Sequence, residues 1–162
     1  MIKIRHIQPD EVLIAKHLIY AVAHEVFQDT RPLEESIAFY EGQGGLQDMD
    51  NIQHAYFDNA GIFLVMTDED QIIGTGAVRK LDEEICELKR VWLLFQYHGK
   101  GLGYRMMQEL LSFARANGYL RMRLETDQGH QNRAFDFYKR LGFHEIPRYS
   151  DNEDDVAMEM VL

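Results

Sequence analysis

The sequence predicts a mixed α/β fold, an α+β arrangement in which one mixed sheet carries helices on both faces. The first observation behind this prediction is the order of strand-like and helix-like segments, which is β-α-α-β-β-β-α-β-α-β-β. The second is a strand, a helix and a strand in succession in the second half of the chain. A crossover of this kind is right-handed, so its two strands are expected to be parallel.

The N-terminal part is predicted to form one strand and two helices. Residues 2–7 alternate apolar and basic side chains, which is typical of a strand. Pro9 suits the start of a helix of roughly four turns, whose apolar residues recur at three- and four-residue steps. A second helix is predicted over 33–41 and ends at Gly42. Residues 46–60 are ambiguous between a loop and one helical turn.

The rest of the chain is predicted to form a three-stranded meander, a crossover helix, and then a strand, a helix and a closing hairpin. The predicted segments are strands at 61–67 and 71–79, a strand that carries Glu87 and runs to Phe95, a helix at 102–117, a strand at 120–125, a helix at 130–141, and strands at 143–149 and 155–161. Polar side chains at positions 87, 89 and 90 indicate a β-bulge at about residues 90–93. A bulge there would splay this strand from its parallel neighbour and open a slot. The acidic loop of the hairpin, 151–155, is predicted to be a solvated tip.

Length and charge limit the classes of protein that this chain can represent. With 162 residues, 46% of them hydrophobic, a single domain over residues 1–162 is expected. Seventeen Lys and Arg against 27 Asp and Glu give a net charge of −10, which disfavours a nucleic-acid partner. An acidic field would concentrate a cationic amine, although it also serves solubility alone. No apolar run approaches the roughly 18 residues of a membrane span, so no membrane partner is expected.

Cysteine and histidine argue against metal and disulfide chemistry. Cys86 is the only cysteine, so neither a disulfide framework nor a cysteine metal site is expected, and a buried, inert thiol is favoured over a nucleophile. The seven histidines show no His-Glu-x-x-His spacing, and no metal is predicted. The single cysteine fits a reducing compartment, and the N-terminal residues contain no apolar core of a signal peptide. A cytoplasmic protein is therefore predicted.

The segment ELKRVWLLFQYHGKGLG, from Glu87 to Gly103, carries the main chemical signal. An apolar strand runs into a turn with glycines at 99, 101 and 103, and then into an amphipathic helix. Glycine lets main-chain N–H groups approach a ligand, and the first turn of the helix adds unpaired donors and the positive end of its dipole. The segment therefore predicts a phosphate or pyrophosphate site.

The spacing excludes two familiar phosphate motifs and matches a third. A dinucleotide fingerprint needs a further glycine where Tyr104 or Met106 stands, and a P-loop needs Ser or Thr where Gly101 follows Lys100. His98-Gly99-Lys100-Gly101-Leu102-Gly103 instead resembles motif A of the GNAT (GCN5-related) N-acetyltransferases, Arg/Gln-x-x-Gly-x-Gly/Ala, with His98 in place of the first residue. Asn132-Arg133-Ala134, Tyr138 and Leu141-Gly142-Phe143 resemble a second signature of that family.

The resemblance spans nearly the whole chain, because the order of elements is also that of the GNAT fold. It implies an enzyme that uses acetyl-CoA as cosubstrate and holds the coenzyme A pyrophosphate on the main chain of the residues His98, Gly99, Lys100, Gly101, Leu102 and Gly103. Asn132 would contact the pantetheine or phosphate region, or else cap a helix. A main-chain N–H near Leu93 would polarise the thioester carbonyl.

The same resemblance assigns the catalytic roles. Glu87 would act as general base, with a solvated glutamate at a strand end as the alternative. Tyr138 would protonate the leaving sulfur, with an aromatic packed in the core as the alternative. The implied reaction is direct acetyl transfer to a primary amine in a ternary complex. A different acyl-CoA or acceptor, and a non-catalytic CoA-binding module, remain alternatives.

The acceptor is expected to be a small-molecule or peptide amine, which the residues do not specify further. In the family the two N-terminal helices and the last hairpin build the acceptor pocket, which implies six lining residues: Tyr20, His24, Phe27, Tyr40, Tyr56 and Arg148. Pairing through sheet edges, as in many proteins of this type, leaves a homodimer open.

Overall fold

The computed structural model describes residues 1–162, which form seven strands and five α-helices. The strands are β1 Ile2–His6, β2 Ile62–Asp68, β3 Gln71–Lys80, β4 Ile85–Leu93, β5 Arg121–Thr126, β6 His144–Ile146 and β7 Val156–Val161. The α-helices are α1 Val12–Val26, α2 Leu33–Gly42, α3 Ile52–Ala55, α4 Leu102–Ala116 and α5 Asn132–Leu141. None of these helices has the length and apolar character needed to cross a lipid bilayer.

All seven strands belong to one sheet, in the order β1-β2-β3-β4-β5-β7-β6. Every neighbouring pair is antiparallel except β4 and β5, which are parallel and are connected through α4. The predicted mixed sheet and the parallel crossover are therefore confirmed. In the closing hairpin, β7 lies between β5 and β6.

Two hydrophobic cores lie on opposite faces of the sheet. On one face, α1 packs with residues of the 46–56 segment against the side chains of Phe63 and Val65. On the other face, α4 and α5 pack against side chains such as Leu64 and Met122. Adjacent residues of β2 point into different cores because successive side chains of a strand alternate between faces. The expectation of helices on both faces is correct.

Local sequence signals set the ends of the main helices. The main-chain N–H of Gln8 donates to Glu11 at 2.9 Å, which forms part of a capping box just before α1. The helix α5 ends at Gly142, whose φ is +113°, and the N–H of Phe143 donates to the carbonyl of Tyr138 at 3.0 Å. The stop at Gly142 is the one that the sequence predicts, and the capping box is a start signal that was not predicted from the sequence.

Three boundaries differ from the sequence predictions. The ambiguous segment contains two short 3-10 helices, Gln47–Asn51 and Phe57–Asn59, around α3, so it holds more helix than one turn. The strand β4 ends at Leu93, because a 3-10 turn starts at Phe95. The strand β6 stops at Ile146 because Pro147, the next residue, has no N–H to donate to the ladder.

Candidate active site

A cleft opens in the middle of the sheet, where β4 and β5 separate. The two strands pair only from Ile85 opposite Arg121 to Glu87 opposite Arg123. Beyond that point β4 stays paired with β3 and β5 stays paired with β7. The cleft measures about 450 Å³ and is lined by both strands, by α5 and by the loop between β6 and β7. The predicted slot between the parallel strands is therefore present, with Glu87 at its inner end.

The predicted β-bulge is also present. Ala77 stands opposite Lys89 but Thr75 stands opposite Trp92, so β4 has one extra residue between these pairs. Past the bulge, the N–H of Leu94 donates to the carbonyl of Ile73 at 3.0 Å. Hydrogen-bonded and non-hydrogen-bonded pairs alternate along antiparallel strands. The preceding residue, Leu93, therefore directs its N–H and its carbonyl away from β3, to the side of β4 that faces β5.

The turn between β4 and α4 presents a row of free donors. None of the main-chain N–H groups from Gly99 to Tyr104 donates a hydrogen bond within the chain. Gly99 and Gly101 have φ angles of +76° and +77°, and a Cβ added at either one would meet open space. Such a row at the positive end of a 15-residue helix has the geometry that suits an anion. We call residues 99–104 the anion nest.

His98 and Leu102 fix the two sides of the anion nest. The Nε2 atom of His98 lies 2.9 Å from the carbonyl oxygen of Leu93, so the imidazole bridges the end of β4 and the start of the nest. Leu102 is the first residue of α4 and is buried in the core. A Cβ added at Gly103 would lie 3.6 Å from the ring of Phe137, which places α5 beside the nest. Lys100 is exposed and contributes its main-chain N–H.

Glu87 is buried, and both of its carboxylate oxygens have partners. Its side chain is only 4% exposed. Arg79, which stands opposite it in β3, donates to Oε1 from Nε at 2.9 Å and from a terminal nitrogen at 2.8 Å. The hydroxyl of Tyr149 donates to Oε2 at 2.7 Å. The guanidinium compensates the charge of the buried carboxylate. The alternative of a solvated glutamate at a strand end is therefore wrong.

Tyr138 packs in the core and also borders the cleft. Its ring is buried against Phe143, with ring centroids 5.7 Å apart, so it does pack in the core. Its side chain also lines the cleft. No fully buried side-chain oxygen or nitrogen lacks a partner, and the Tyr138 hydroxyl makes no hydrogen bond, so that hydroxyl keeps some contact with solvent. Burial raises the pKa of Tyr138, which keeps the hydroxyl protonated near neutral pH.

Asn132 is the first residue of α5, and its side chain is exposed without a hydrogen bond. The residue at the cap position is Gln131, whose side-chain oxygen accepts hydrogen bonds from Thr126 and from the N–H of Asp127. The alternative role of Asn132 as a helix cap is therefore wrong. Its amide is exposed at the start of α5, next to Gln131, which lines the cleft.

Most of the residues predicted to line the acceptor pocket do not line this cleft. Of the six residues expected there, only Phe27 lines the cleft. Tyr20 donates to Glu41 and is buried against α2, and Tyr56 is fully buried and donates to Asp48. The other three are elsewhere: His24 lies within hydrogen-bond distance of the carbonyl of Arg31, Tyr40 is exposed beside Phe39, and Arg148 is exposed. Tyr20 and Tyr56 are thus structural residues.

The loop between β6 and β7 builds one wall of the cleft. Ser150, Asn152, Asp154 and Asp155 line it, so the loop is more than the solvated tip that the sequence predicts, although most of its residues are exposed. Burial, followed by repulsion from nearby carboxylates, raises the pKa of Asp155. Glu125 of β5 and Asp127, just beyond that strand, add two carboxylates to the lining, so the entrance is acidic.

Lys89 is the one lysine that lines the cleft. It makes no ion pair or hydrogen bond, and burial, followed by repulsion from Arg90, lowers its pKa. Lys89, Arg79 and Tyr149 all escaped the sequence prediction. The pairing of Arg79 with Glu87 follows from the register of the β3–β4 hairpin, which could have indicated it. Nothing in the sequence indicates Tyr149, which comes from a loop 62 residues further along the chain.

Comparison with known proteins agrees with this geometry. The model of the Acetyltransferase (GNAT) family matches residues 24–143, well over half of the chain. The chain belongs to the GNAT acetyltransferase family. It is 29% identical over 101 residues to the uncharacterised N-acetyltransferase YjgM of Escherichia coli K12, and this alignment covers 60% of each chain. It is 29% identical over 102 residues to human N-acetyltransferase 8B, which covers 59% of this chain and 44% of that protein. The chain thus spans about half the length of the curated relatives that it matches.

Solved structures show the same GNAT fold. An acetyltransferase of Streptococcus agalactiae superposes with a TM-score of 0.82 at 20% identity, over 99% of this chain and 98% of that one. The PaiA N-acetyltransferase of Thermoplasma acidophilum, solved in complex with coenzyme A, superposes with a TM-score of 0.80 at 19% identity, over 100% of this chain and 99% of that one. At such identities the fold is what is shared. The predicted family and fold class are confirmed.

Proposed function

We propose that this chain transfers an acetyl group from acetyl-CoA directly to a primary amine within a ternary complex. The observation that carries the proposal is the anion nest at the end of a strand that has separated from its parallel neighbour. Free N–H donors suit a pyrophosphate, and the cleft beside them offers room for a pantetheine arm. The coenzyme A complex of the Thermoplasma relative supports the choice of ligand.

The residues present fit acetyl-CoA as a cosubstrate. The anion nest would hold its pyrophosphate, and the exposed amide of Asn132 stands where α5 borders the cleft. The N–H of Leu93, which the bulge directs away from β3, would donate to the thioester oxygen. A donor aimed at an oxygen that gains negative charge stabilises the transition state of acyl transfer.

A general base has a clear task in this reaction. An alkylammonium has a pKa near 10.4, so only about one amine in 2,500 is neutral at pH 7, a handicap of roughly 4.6 kcal/mol. A positioned base typically recovers about 10²- to 10⁴-fold in rate. Glu87 lies at the inner end of the cleft and is fixed by Arg79 and Tyr149. We assign Glu87 the role of accepting the proton of the amine, either directly or through water.

The leaving group needs less help. A thiol of pKa about 8.5 leaves readily as thiolate, and the protonated hydroxyl of Tyr138 at the cleft can donate to it. Direct transfer, without an acyl-enzyme, is supported by Cys86, the only thiol of the chain. Cys86 is fully buried, and burial raises its pKa to about 12, so it is not a nucleophile. The single unpaired thiol also supports the proposed cytoplasmic location.

Acetyl-CoA consumption with a panel of primary amines tests the proposal. The panel includes polyamines, amino acids, aminoglycosides and peptides with a free N-terminus or lysine, because the acidic cleft mouth suits cationic acceptors without selecting one. We expect thiol release that requires both substrates, and a product heavier by one acetyl group. Binding of acetyl-CoA without turnover on the whole panel would favour a non-catalytic CoA-binding module. Faster turnover with a longer acyl-CoA would show that the transferred group is a longer acyl chain and not acetyl.

A further inference from the structure

Arg90 combines two features that are unusual in a strand. Its φ angle is +57°, in the left-handed region that few non-glycine residues adopt. Its charged side chain is only 21% exposed. With Val91, it is one of the two residues that stand opposite Gly76 where the register of β4 shifts. The bulge thus depends on a backbone conformation that arginine disfavours, so other contacts must hold it.

Several hydrogen bonds hold Arg90 in this conformation. Its guanidinium donates to both carboxylate oxygens of Asp48, from Nε at 3.1 Å and from a terminal nitrogen at 2.5 Å. The hydroxyl of Tyr56 donates to the same carboxylate. On the backbone side, the hydroxyl of Thr75 donates to the carbonyl of Arg90 at 2.7 Å. We call Asp48, Tyr56, Thr75 and Arg90 the bulge anchor.

The bulge anchor is shielded from water. The side chain of Asp48 is 11% exposed, and Tyr56 and Thr75 are 0% and 1% exposed. Burial would raise the pKa of Asp48, but the hydrogen bonds and charge of Arg90, the hydrogen bond from Tyr56 and the charge of Lys89 together hold the pKa below its ordinary value. A two-point, charge-assisted pair of this kind fixes orientation as well as distance. Asp48 belongs to the 3-10 helix Gln47–Asn51, so the fold of that segment determines where Arg90 lies.

The bulge in turn decides where Leu93 points. A slip of one residue in pairing reverses the directions of the side chains and N–H groups beyond it. Leu93 lies three positions after Arg90, and its N–H points away from β3, to the side of β4 that faces β5, because β4 has the extra residue. If the bulge relaxed, that donor would turn toward β3.

We propose that Asp48 and Arg90 are positioning residues that hold the β4 bulge and thereby aim the Leu93 N–H at the thioester oxygen of acetyl-CoA. The inference rests on the proposed function, because it requires acetyl-CoA in the cleft. Thr75 supports the same bulge from β3. Asp48 acts through Arg90 and Leu93.

The substitution Asp48→Asn tests this proposal, since it keeps the size of the side chain and removes its charge and one acceptor. Removing an oxyanion donor costs about 10²- to 10³-fold in kcat, and a displaced donor loses part of that. We expect kcat to fall about 10-fold or more and the KM for acetyl-CoA to stay within about 3-fold, because the anion nest is untouched. If Asp48 had a purely structural role, the substitution would lower the melting temperature without this selective loss of kcat relative to the KM for acetyl-CoA.

The NMR amide resonance of Leu93 gives a readout that needs no amine substrate. In wild-type protein we expect it to move downfield more with acetyl-CoA than with coenzyme A, because only the thioester offers a carbonyl. The difference should shrink in Asp48→Asn. Thr75→Val removes the hydrogen bond from Thr75 to the Arg90 carbonyl while nearly keeping the shape of the side chain. We expect it to reduce the same difference in the Leu93 shift. This variant keeps the test decisive if Asp48→Asn does not fold.

Asp50→Asn is the matched control. Asp50 lies on the same 3-10 helix but accepts a hydrogen bond from the Nζ atom of Lys16 at 2.8 Å. The same Nζ atom also forms an ion pair with Glu41 at 2.5 Å. We expect an unchanged kcat and an unchanged Leu93 resonance. Equal kcat losses in Asp48→Asn and Asp50→Asn, or a wild-type Leu93 shift in both anchor variants, would overturn the positioning role. A wild-type protein that binds acetyl-CoA without any Leu93 difference would overturn it as well. Absence of binding would instead overturn the proposed function itself.

Discussion

Adding one methyl group at Gly101 tests the anion nest at the residue where α4 begins. Gly101 has a φ of +77°, and an added Cβ would meet no protein atom within 4 Å. Gly118, beyond the other end of the same helix, has a φ of +83° and equally open space. Gly101→Ala and Gly118→Ala therefore impose nearly the same backbone strain, while only the first adds an atom to the proposed pyrophosphate site.

The two variants should lose similar stability but differ in affinity. A left-handed conformation costs an L-residue about 1–2 kcal/mol, and each 1 kcal/mol lowers the melting temperature by roughly 2–4 °C at this chain length. Hydrogen bonds to charged groups contribute about 1.5–3 kcal/mol each. If the methyl group displaces the pyrophosphate from one N–H of the nest, the Kd for acetyl-CoA rises by about 10- to 150-fold.

Isothermal titration of acetyl-CoA into both variants and wild type provides the comparison. We expect Gly118→Ala to bind with wild-type affinity and Gly101→Ala to bind at least tenfold more weakly, with both melting at similarly reduced temperatures. If both variants bound acetyl-CoA equally well, the nest would not be the pyrophosphate site and the argument from its free donors would fail.

Three further predictions concern single side chains. Glu87→Gln should lower turnover by about 10²-fold or more and leave the affinity for acetyl-CoA unchanged, because an amide cannot accept the proton of the amine; equal losses of turnover and affinity would contradict the role of Glu87 as base. Tyr138→Phe should lower turnover by roughly 10-fold, because the leaving thiol needs only modest help; unchanged steady-state rates would remove Tyr138 as acid. Cys86, which is fully buried with a pKa raised to about 12, should react with a thiol reagent at pH 8 only after denaturation, and reaction at the rate of a free thiol in the native protein would show that this burial is wrong.

The features that could be predicted from the sequence depend on local patterns. The order of the elements follows from hydrophobic periodicity, and the anion nest follows from three glycines placed between a strand and an amphipathic helix. The bulge near Arg90 was detectable because polar residues break the alternation of an otherwise apolar strand. Each of these signals lies within about a dozen residues, so one stretch of sequence contains it whole.

The features that escaped prediction join distant parts of the chain. Tyr149 reaches Glu87 across 62 positions, and Asp48 reaches Arg90 across 42. Such contacts depend on strand order and on how loops cross the sheet, neither of which a local pattern specifies. The wrong acceptor lining has a related cause, because Tyr56 and Tyr20 lie near the correct helices but point into the core. Proximity along the chain gives no information about the direction of a side chain.

The most direct measurement of the central claim is the melting temperature of wild-type protein with and without saturating acetyl-CoA. A ligand at 100 times its Kd stabilises the native state by about 2.7 kcal/mol, which is roughly 5–11 °C for a chain of this length. We predict a shift of that size with acetyl-CoA, and a smaller one in Gly101→Ala at the same concentration. No shift at millimolar acetyl-CoA would contradict the account, because the free donors of the anion nest and the cleft between β4 and β5 would then have another ligand or none.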